Sequence, residues 1–183
     1  MSGSVRTKAL LCVPMAVSAV LMLFLALGYL VVAILGIPPT LGFVLHVRLF
    51  GALPLVVGFL FLLWLFRYRK PADILVSTYV TFSKVRGVSL EKPLGRTEPL
   101  VIRGPHRYVR HPLYLGVVLL VLGFWVLLDY TLLLFSAILL LLWFNFVVTP
   151  FEEKELRAMF GDHYGQYSRE VPKMIPLTKW RKK

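Results

Sequence analysis

Two short clusters of polar residues, each at the end of an apolar run, contain the residue types that could do chemistry. The first is GPHRYVRHPLYLG, residues 104–116, in which Arg110 and His111 stand directly before an apolar run. Pro112 disfavours helical backbone for His111 and suits the first helical position, so we expect a helix to begin there. The first amides of that helix, with Arg110 and His111, would form a site for an anion. Alternatively, Arg107 and Arg110 bind lipid phosphates and His111 caps the helix.

The second cluster is TPFEEKELRAMFGDHYGQY, residues 149–167, which contains the adjacent carboxylates Glu152 and Glu153. Thr149 with Glu152 three residues later has the pattern of a capping box, and Gly161 is expected to end the helix. Neighbouring helical residues point about 100° apart, so both carboxylates cannot cap. One of them could bind an amino group or a ribose hydroxyl, although the helix dipole alone also favours an acidic first turn. Together the two clusters match the charges of a zwitterionic amino-acid group.

Four apolar runs must position these clusters. Of the 183 residues, 58% are hydrophobic and only 16% are charged, and the mean hydropathy is +0.75. A soluble domain of this length cannot bury so much apolar surface. We therefore predict an all-α integral membrane protein with about four transmembrane helices, a C-terminal helical hairpin and a cytoplasmic amphipathic tail. The predicted spans are residues 9–35, 47–66, 113–128 and 132–148.

The spans divide the chain into two predicted parts. Residues 1–70 would form an N-terminal two-helix transmembrane hairpin, and residues 71–183 would form the catalytic part. Within the second part we expect a cytoplasmic connector at 71–112, a helical hairpin at 113–148 and a cytoplasmic tail at 149–183. Because the hairpin folds back on itself, it would return the second cluster to the first.

The distribution of basic residues predicts the topology. Of the 21 Lys and Arg residues, ten lie between Arg67 and Arg110 and eight follow residue 148, whereas the hairpin tip has none. The positive-inside rule therefore places both termini and both clusters in the cytoplasm of a multi-pass membrane protein. The net charge of +12 would suit nucleic acid, but the apolar composition makes membrane lipids the expected partners instead. The sequence predicts no metal site and leaves the oligomeric state open.

The second half of the chain resembles a known group of membrane enzymes. Its motifs Arg-His-Pro-x-Tyr-x-Gly, Glu-Glu-x-x-Leu, Phe-Gly-x-x-Tyr-x-x-Tyr and Val-Pro, over residues 94–176, are similar to those of the isoprenylcysteine carboxyl methyltransferase and phospholipid methyltransferase group. The resemblance implies S-adenosyl-L-methionine as the methyl donor. It also implies a hydrophobic or lipid-like methyl acceptor, such as a prenylcysteine carboxylate or a phospholipid amine. Carried over by position, the cofactor-binding residues are Arg110, His111, Pro112, Tyr114, Gly116, Glu152, Glu153, Tyr164 and Tyr167.

Two further residues are candidates for catalysis. His106 stands where the resembling enzymes often have an aromatic residue. Arg169 lies one position before the usual basic residue, because Glu170 immediately precedes the Val-Pro pair. A carboxylate acceptor needs no general base, whereas an amine or thiol needs a proton acceptor, for which His106, His163 or a glutamate is available.

Two other classes of protein remain as alternatives. Membrane sterol reductases, which use NADPH, resemble this hairpin and carry an Arg-His-x-x-Tyr element, but their Asp-x-x-Arg-Cys tail pattern is not found in this sequence. The second alternative is a non-enzymatic membrane protein whose basic loops bind anionic lipid. In that case Tyr164 and Tyr167 would serve only as interfacial anchors.

Overall fold

A computed structural model describes residues 3–85 and 100–175, and these ranges are helical without a strand. Residues 1–2, 86–99 and 176–183 lie outside the described residues, and with them the middle of the predicted cytoplasmic connector and the end of the predicted tail. The predicted third helix begins at Pro112, as expected. In chain order the elements are α1 (Gly3–Leu35), α2 (Leu45–Phe50), α3 (Ala52–Tyr68), α4 (Pro71–Val85), a 3-10 turn (Gly104–Arg107), α5 (Pro112–Leu128), α6 (Thr131–Trp143), a π-helical segment (Phe144–Val148) and α7 (Thr149–Glu170).

Within the described residues, three helices are long and apolar enough to cross a membrane. They are Thr7–Leu35, Leu45–Tyr68 and Thr131–Glu170, while Pro112–Leu128 is apolar but shorter. The second of these helices is divided at Gly51, between α2 and α3. Pro54 lies inside this span, in the first turn of α3, where a helix needs no amide hydrogen.

Glycines bring α3 and α5 into close contact. A Cβ atom added at Gly123 would lie 2.7 Å from the backbone nitrogen of Leu55, and one at Gly51 would lie 2.8 Å from the carbonyl oxygen of Gly123. A Cβ atom at Gly58 would lie 3.2 Å from the carbonyl oxygen of Gly116. Gly116 and Gly123 lie two helical turns apart on α5, so both lie on the side that faces Gly51 and Gly58.

The helices of the first half pack on those of the second. While α3 packs on α5, α1 packs on α6, where the Ser136 hydroxyl donates a 3.0 Å hydrogen bond to the carbonyl oxygen of Phe24. The predicted division of the chain at residue 70 stays a prediction.

A polar clasp closes one end of the α5–α6 hairpin. Asp129, in left-handed backbone conformation after α5, accepts hydrogen bonds from the amides of Leu41 at 3.0 Å and Phe43 at 2.9 Å. Arg48 Nη2 donates a 2.9 Å hydrogen bond to the carbonyl oxygen of Leu128. The connection between α1 and α2 is thereby fixed to the tip of the hairpin.

The chain passes from α6 into α7 without a break. The predicted N-cap at Thr149 is wrong, because Val148 and Thr149 both have right-handed helical backbone and the Thr149 hydroxyl donates to the carbonyl oxygen of Asn145 at 3.2 Å. The capping box with Glu152 is therefore wrong as well. The first real interruption is Gly161, with φ 52° and ψ −128°, after which helical backbone resumes to the end of α7.

The residues after α7 return to the start of α5, and we call residues 171–175 the C-terminal strap. The carbonyl oxygens of Pro172 and Lys173 accept hydrogen bonds from the amides of Arg110, at 2.9 Å, and His111, at 3.1 Å. Met174 is 3% exposed and belongs to the apolar core between α1, α5 and α6. The strap therefore fixes the backbone of the first polar cluster from outside the helices.

Candidate functional site

The two polar clusters meet at a cavity at one end of the helices. The end of α3, the side of α4, the 3-10 turn, the start of α5 and both halves of α7 form its wall. Of the residues predicted to bind a cofactor, all line this cavity except Gly116 and Glu153. A Cβ atom at Gly116 would meet the Leu62 side chain at 2.6 Å, so this glycine faces α3.

Arg110, His111, Glu152 and Glu153 form a compact group, which we call the charge cluster. Arg110 Nη1 lies 3.0 Å from Glu153 Oε1, and their side chains are 9% and 13% exposed. The imidazole of His111 lies between the carboxylates, with Nε2 3.2 Å from Glu153 Oε1 and Nδ1 3.4 Å from Glu152 Oε2. The convergence predicted from the folded-back hairpin is confirmed.

This environment favours the protonated form of His111. Although burial lowers the pKa of His111, hydrogen bonds to Glu152 and Glu153 outweigh that effect, and the pKa lies above the ordinary value of 6.5. Because a carboxylate can only accept, a hydrogen on each ring nitrogen satisfies both contacts. His111 occupies the N-cap position of α5, but its side chain makes no capping hydrogen bond. With His111 charged, the cluster contains two cations and two anions.

Tyr114 connects the charge cluster to the π-helical segment. Its hydroxyl donates a 2.6 Å hydrogen bond to Glu152 Oε1. Its ring stacks on Phe144 at a centroid distance of 4.5 Å and on His111 at 5.8 Å. A π-helical turn holds one more residue than an α-helical turn, and such turns often occur at functional sites. The extra residue sets the rotation of α7 that turns both glutamates toward His111.

The tyrosines of α7 lie beyond the interruption at Gly161. Tyr164 is fully buried, and its ring centroid is 5.9 Å from that of Tyr167. The Tyr167 hydroxyl donates a 2.7 Å hydrogen bond to the carbonyl oxygen of His106. Both therefore help to form the wall of the cavity and do more than anchor the chain at an interface.

Only one of the two candidates for catalysis lies at the cavity. His106 lies in the 3-10 turn and lines the cavity, whereas Arg169 is exposed on α7 and does not line it. The pKa of His106 is lowered to about 4, first by burial and next by the positive charge of Arg69. His106 is therefore neutral at physiological pH.

Three polar residues that line the cavity, Arg69, Ser77 and Thr78, were not predicted from the sequence. Arg69, at the end of α3, reaches over α4 and places its Nη2 atom 3.4 Å from the Ser77 hydroxyl. Thr78 follows on the same helix and also lines the cavity. Arg69 belongs to the basic residues that follow the second predicted span, and these residues were used only to predict the topology. The adjacent Ser77 and Thr78 were the one signal in the sequence that α4 has a polar face.

The described ranges form an all-helical protein with a charge cluster beside a cavity at one end of apolar helices. The family profile for phospholipid methyltransferases matches residues 47–163. This chain belongs to that family, in agreement with the resemblance seen in the motifs.

Individual relatives match the chain over shorter stretches. It is 42% identical over 80 residues to protein-S-isoprenylcysteine O-methyltransferase of Schizosaccharomyces pombe, covering 43% of this chain and 33% of the relative. It is 38% identical over 79 residues to methanethiol S-methyltransferase 1 of Bradyrhizobium diazoefficiens, covering 42% and 25%. It is 37% identical over 83 residues to methanethiol S-methyltransferase of Crocosphaera subtropica, covering 43% and 31%. Each match thus spans a third or less of the relative's own length. No solved structure matches this chain.

Proposed function

We propose that this chain is an integral membrane methyltransferase that uses S-adenosyl-L-methionine to methylate a lipidic or small hydrophobic acceptor. The observation that carries the proposal is the meeting of Arg110 and His111 with Glu152 and Glu153 beside one cavity, in a member of a methyltransferase family. All of the site residues below are assigned on this basis.

The residues at the cavity fit the charges of the cofactor. The methionine part carries one carboxylate and one ammonium group. Arg110 and His111 would hold the carboxylate, and Glu152 and Glu153 would hold the ammonium group. Each side chain of the charge cluster would then replace an ion pair within the protein by an ion pair with the ligand. Leu156 and the aromatic residues Phe160 and Tyr164 supply an apolar wall in the same cavity. Flat rings such as an adenine pack well against walls of this kind.

The chain's own contribution to the reaction is orientation and exclusion of water. When bound, the cofactor supplies a methyl group on a positively charged sulfur, which reacts readily with an aligned nucleophile. Alignment alone can account for a large share of the rate of such a displacement. Tyr114 holds Glu152, and Tyr167 holds the turn that contains His106, so the two sides of the cavity are fixed relative to each other.

An apolar acceptor agrees with the position of the cavity at the end of the apolar helices. Its wall includes Leu65 of α3 and Leu113 of α5. Both residues belong to helices that are apolar along their length. We place α5 as a fourth crossing, antiparallel to α6. From the distribution of Lys and Arg, we place the cavity and both termini on the cytoplasmic side.

Calorimetric titration of the detergent-purified protein with S-adenosylhomocysteine tests the proposal. We expect binding that Arg110→Lys weakens at least tenfold, because a single ammonium does not replace the two-pronged guanidinium. Arg157→Lys, at an exposed arginine of α7, is the matched control and should bind like the wild type. Protection against heat by NADPH alone would favour a reductase. Absence of any nucleotide binding, together with retention of anionic lipid, would favour a lipid-binding protein.

A further inference from the structure

One ring nitrogen of His106 makes a hydrogen bond, and the other has no partner among the described residues. Nδ1 lies 3.3 Å from the carbonyl oxygen of Arg110. A carbonyl oxygen can only accept, so Nδ1 carries the hydrogen and Nε2 of the neutral ring carries a lone pair. Nε2 is buried and has no hydrogen-bond partner among the described residues. A buried acceptor without a donor is unfavourable, and it marks a position where a ligand can donate a proton.

The residue is held firmly at the cavity. Its backbone carbonyl accepts the hydrogen bond from Tyr167, and the amides of Tyr108 and Val109 bond to the carbonyl oxygen of Pro105, which closes the 3-10 turn. His106 therefore presents its ring from a fixed backbone to the cavity that the charge cluster also lines.

The charged groups acting on His106 keep it neutral. Arg69 and His111 are both cationic, and each lowers the pKa of His106 in addition to the effect of burial. The remaining neighbour, Arg110, contributes its backbone carbonyl to the ring. A neutral imidazole is the form that can accept a proton.

Other candidates for a proton acceptor are excluded by their surroundings. Glu152 accepts from Tyr114 and contacts His111, and Glu153 is paired with Arg110 and His111. His163 is exposed on α7 and does not line the cavity. Among the described residues, His106 is thus the base that lines the cavity without belonging to the charge cluster.

Resting on the proposed function, we propose that His106 Nε2 accepts the proton of a thiol acceptor during methyl transfer, and that the acceptor of this chain is a thiol. A lone pair of the thiol sulfur forms the new bond to the methyl carbon, and the bond from that carbon to the cofactor sulfur breaks with its electron pair. The S–H proton passes to Nε2. The products are a methyl thioether and a neutral cofactor thioether, and the imidazolium then releases its proton to water.

The chemistry of the acceptor distinguishes a thiol from the alternatives. A carboxylate carries no proton at neutral pH, so it would leave Nε2 without a role. An amine is protonated at neutral pH, because its pKa is near 10, and it must lose that proton before it can attack. His106, with a pKa of about 4, is too weak a base to take a proton from an ammonium group. A thiol becomes strongly acidic as its sulfur gains the methyl group, so a base as weak as His106 suffices.

The test compares matched acceptors on matched variants. Alkanethiols from methanethiol to decanethiol, and carboxylates of the same chain lengths, are offered to wild type, His106→Gln and His106→Phe. We expect the wild type to methylate thiols and not carboxylates. Both variants should lose roughly 10²-fold or more in kcat/KM for thiols while binding S-adenosylhomocysteine like the wild type. His163→Gln, at the exposed histidine, should behave like the wild type.

The pH profile separates a base from a residue that only positions the acceptor. Without the base only thiolate reacts, so the residual rate of His106→Gln should rise about tenfold per pH unit below the pKa of the thiol. The wild-type rate should be nearly flat over the same range. Methylation of carboxylates, absence of thiol methylation, or a wild-type rate in His106→Gln would each overturn the inference. Failure of the wild type to bind S-adenosylhomocysteine would instead reject the proposed function.

Discussion

The hydroxyl of Tyr167 and the carbonyl oxygen of His106 lie 2.7 Å apart, although 61 residues separate them in the chain. This hydrogen bond joins the far half of α7 to the 3-10 turn and so connects opposite sides of the cavity. Replacing Tyr167 with Phe removes the donor and leaves the ring. We expect Tyr167→Phe to lower the free energy of unfolding by about 1 kcal/mol, measured by thermal unfolding in detergent. The exposed hydroxyl of Tyr130 offers a control, since Tyr130→Phe should leave the unfolding midpoint unchanged.

Glu153→Gln tests the stability of the charge cluster. The substitution keeps the size of the side chain but removes the charge opposite Arg110, whose side chain is only 9% exposed. We expect a loss of about 2 kcal/mol, because a hydrogen bond to a charged group contributes more than a neutral one. Asp162→Asn, at an exposed carboxylate of the same helix, should cost much less. Equal midpoints for the two variants would show that the pair contributes nothing to stability.

His111 should make stability depend on pH on the alkaline side. Its pKa is raised in the folded state above the unfolded value near 6.5, so the folded protein binds more protons above that pH. The resulting stabilisation is fully present below pH 6.5 and is lost as the pH rises through the folded-state pKa. Unfolding midpoints recorded from pH 6 to pH 9 should fall for the wild type and change less for His111→Gln.

His106 should act in the opposite direction on the acid side. Its folded-state pKa of about 4 means that the unfolded chain binds more protons between pH 6.5 and pH 4. Stability should therefore decrease as the pH falls through this window, by up to about 3 kcal/mol at pH 4. Subtracting the profile of His106→Gln from that of the wild type isolates the contribution. A difference profile without slope would mean that the ring is not buried in solution.

Deleting Val147 should abolish cofactor binding without unfolding the helices. The residue is 56% exposed in the π-helical segment, so its own contacts are few. Its removal converts the π-helical turn to an α-helical one and rotates α7 by about 100°, which moves Glu152 and Glu153 away from His111. Loss of S-adenosylhomocysteine binding with unchanged helical circular dichroism is expected. Val147→Ala, which keeps the register, should bind normally.

Much of the site could be predicted because it follows from composition and from the order of the apolar runs. A tight hairpin must return Glu152 and Glu153 to the region of Arg110, whatever the details of packing. The capping box at Thr149 failed for a physical reason. The apolar helix before it continues unbroken, so its carbonyl groups already satisfy the amides that a cap would serve.

Other features depend on contacts between distant segments and leave no local signal. The role of Arg69 arises only when α4 folds beside the end of α3. The strap carbonyls of Pro172 and Lys173 meet the first cluster through a reversal of the chain after α7. The packing role of Gly51 and Gly58 could be predicted only if the alignment of α3 with α5 were known.

The glycine contacts between α3 and α5 also limit how a substrate can reach the cavity. Where a Cβ atom at Gly58 or Gly123 would already crowd the backbone of the facing helix, an alkyl chain has no space to pass. At these positions α3 and α5 leave no gap between their backbones. If an apolar molecule enters the cavity from the bilayer, its route must therefore run along another side of the protein.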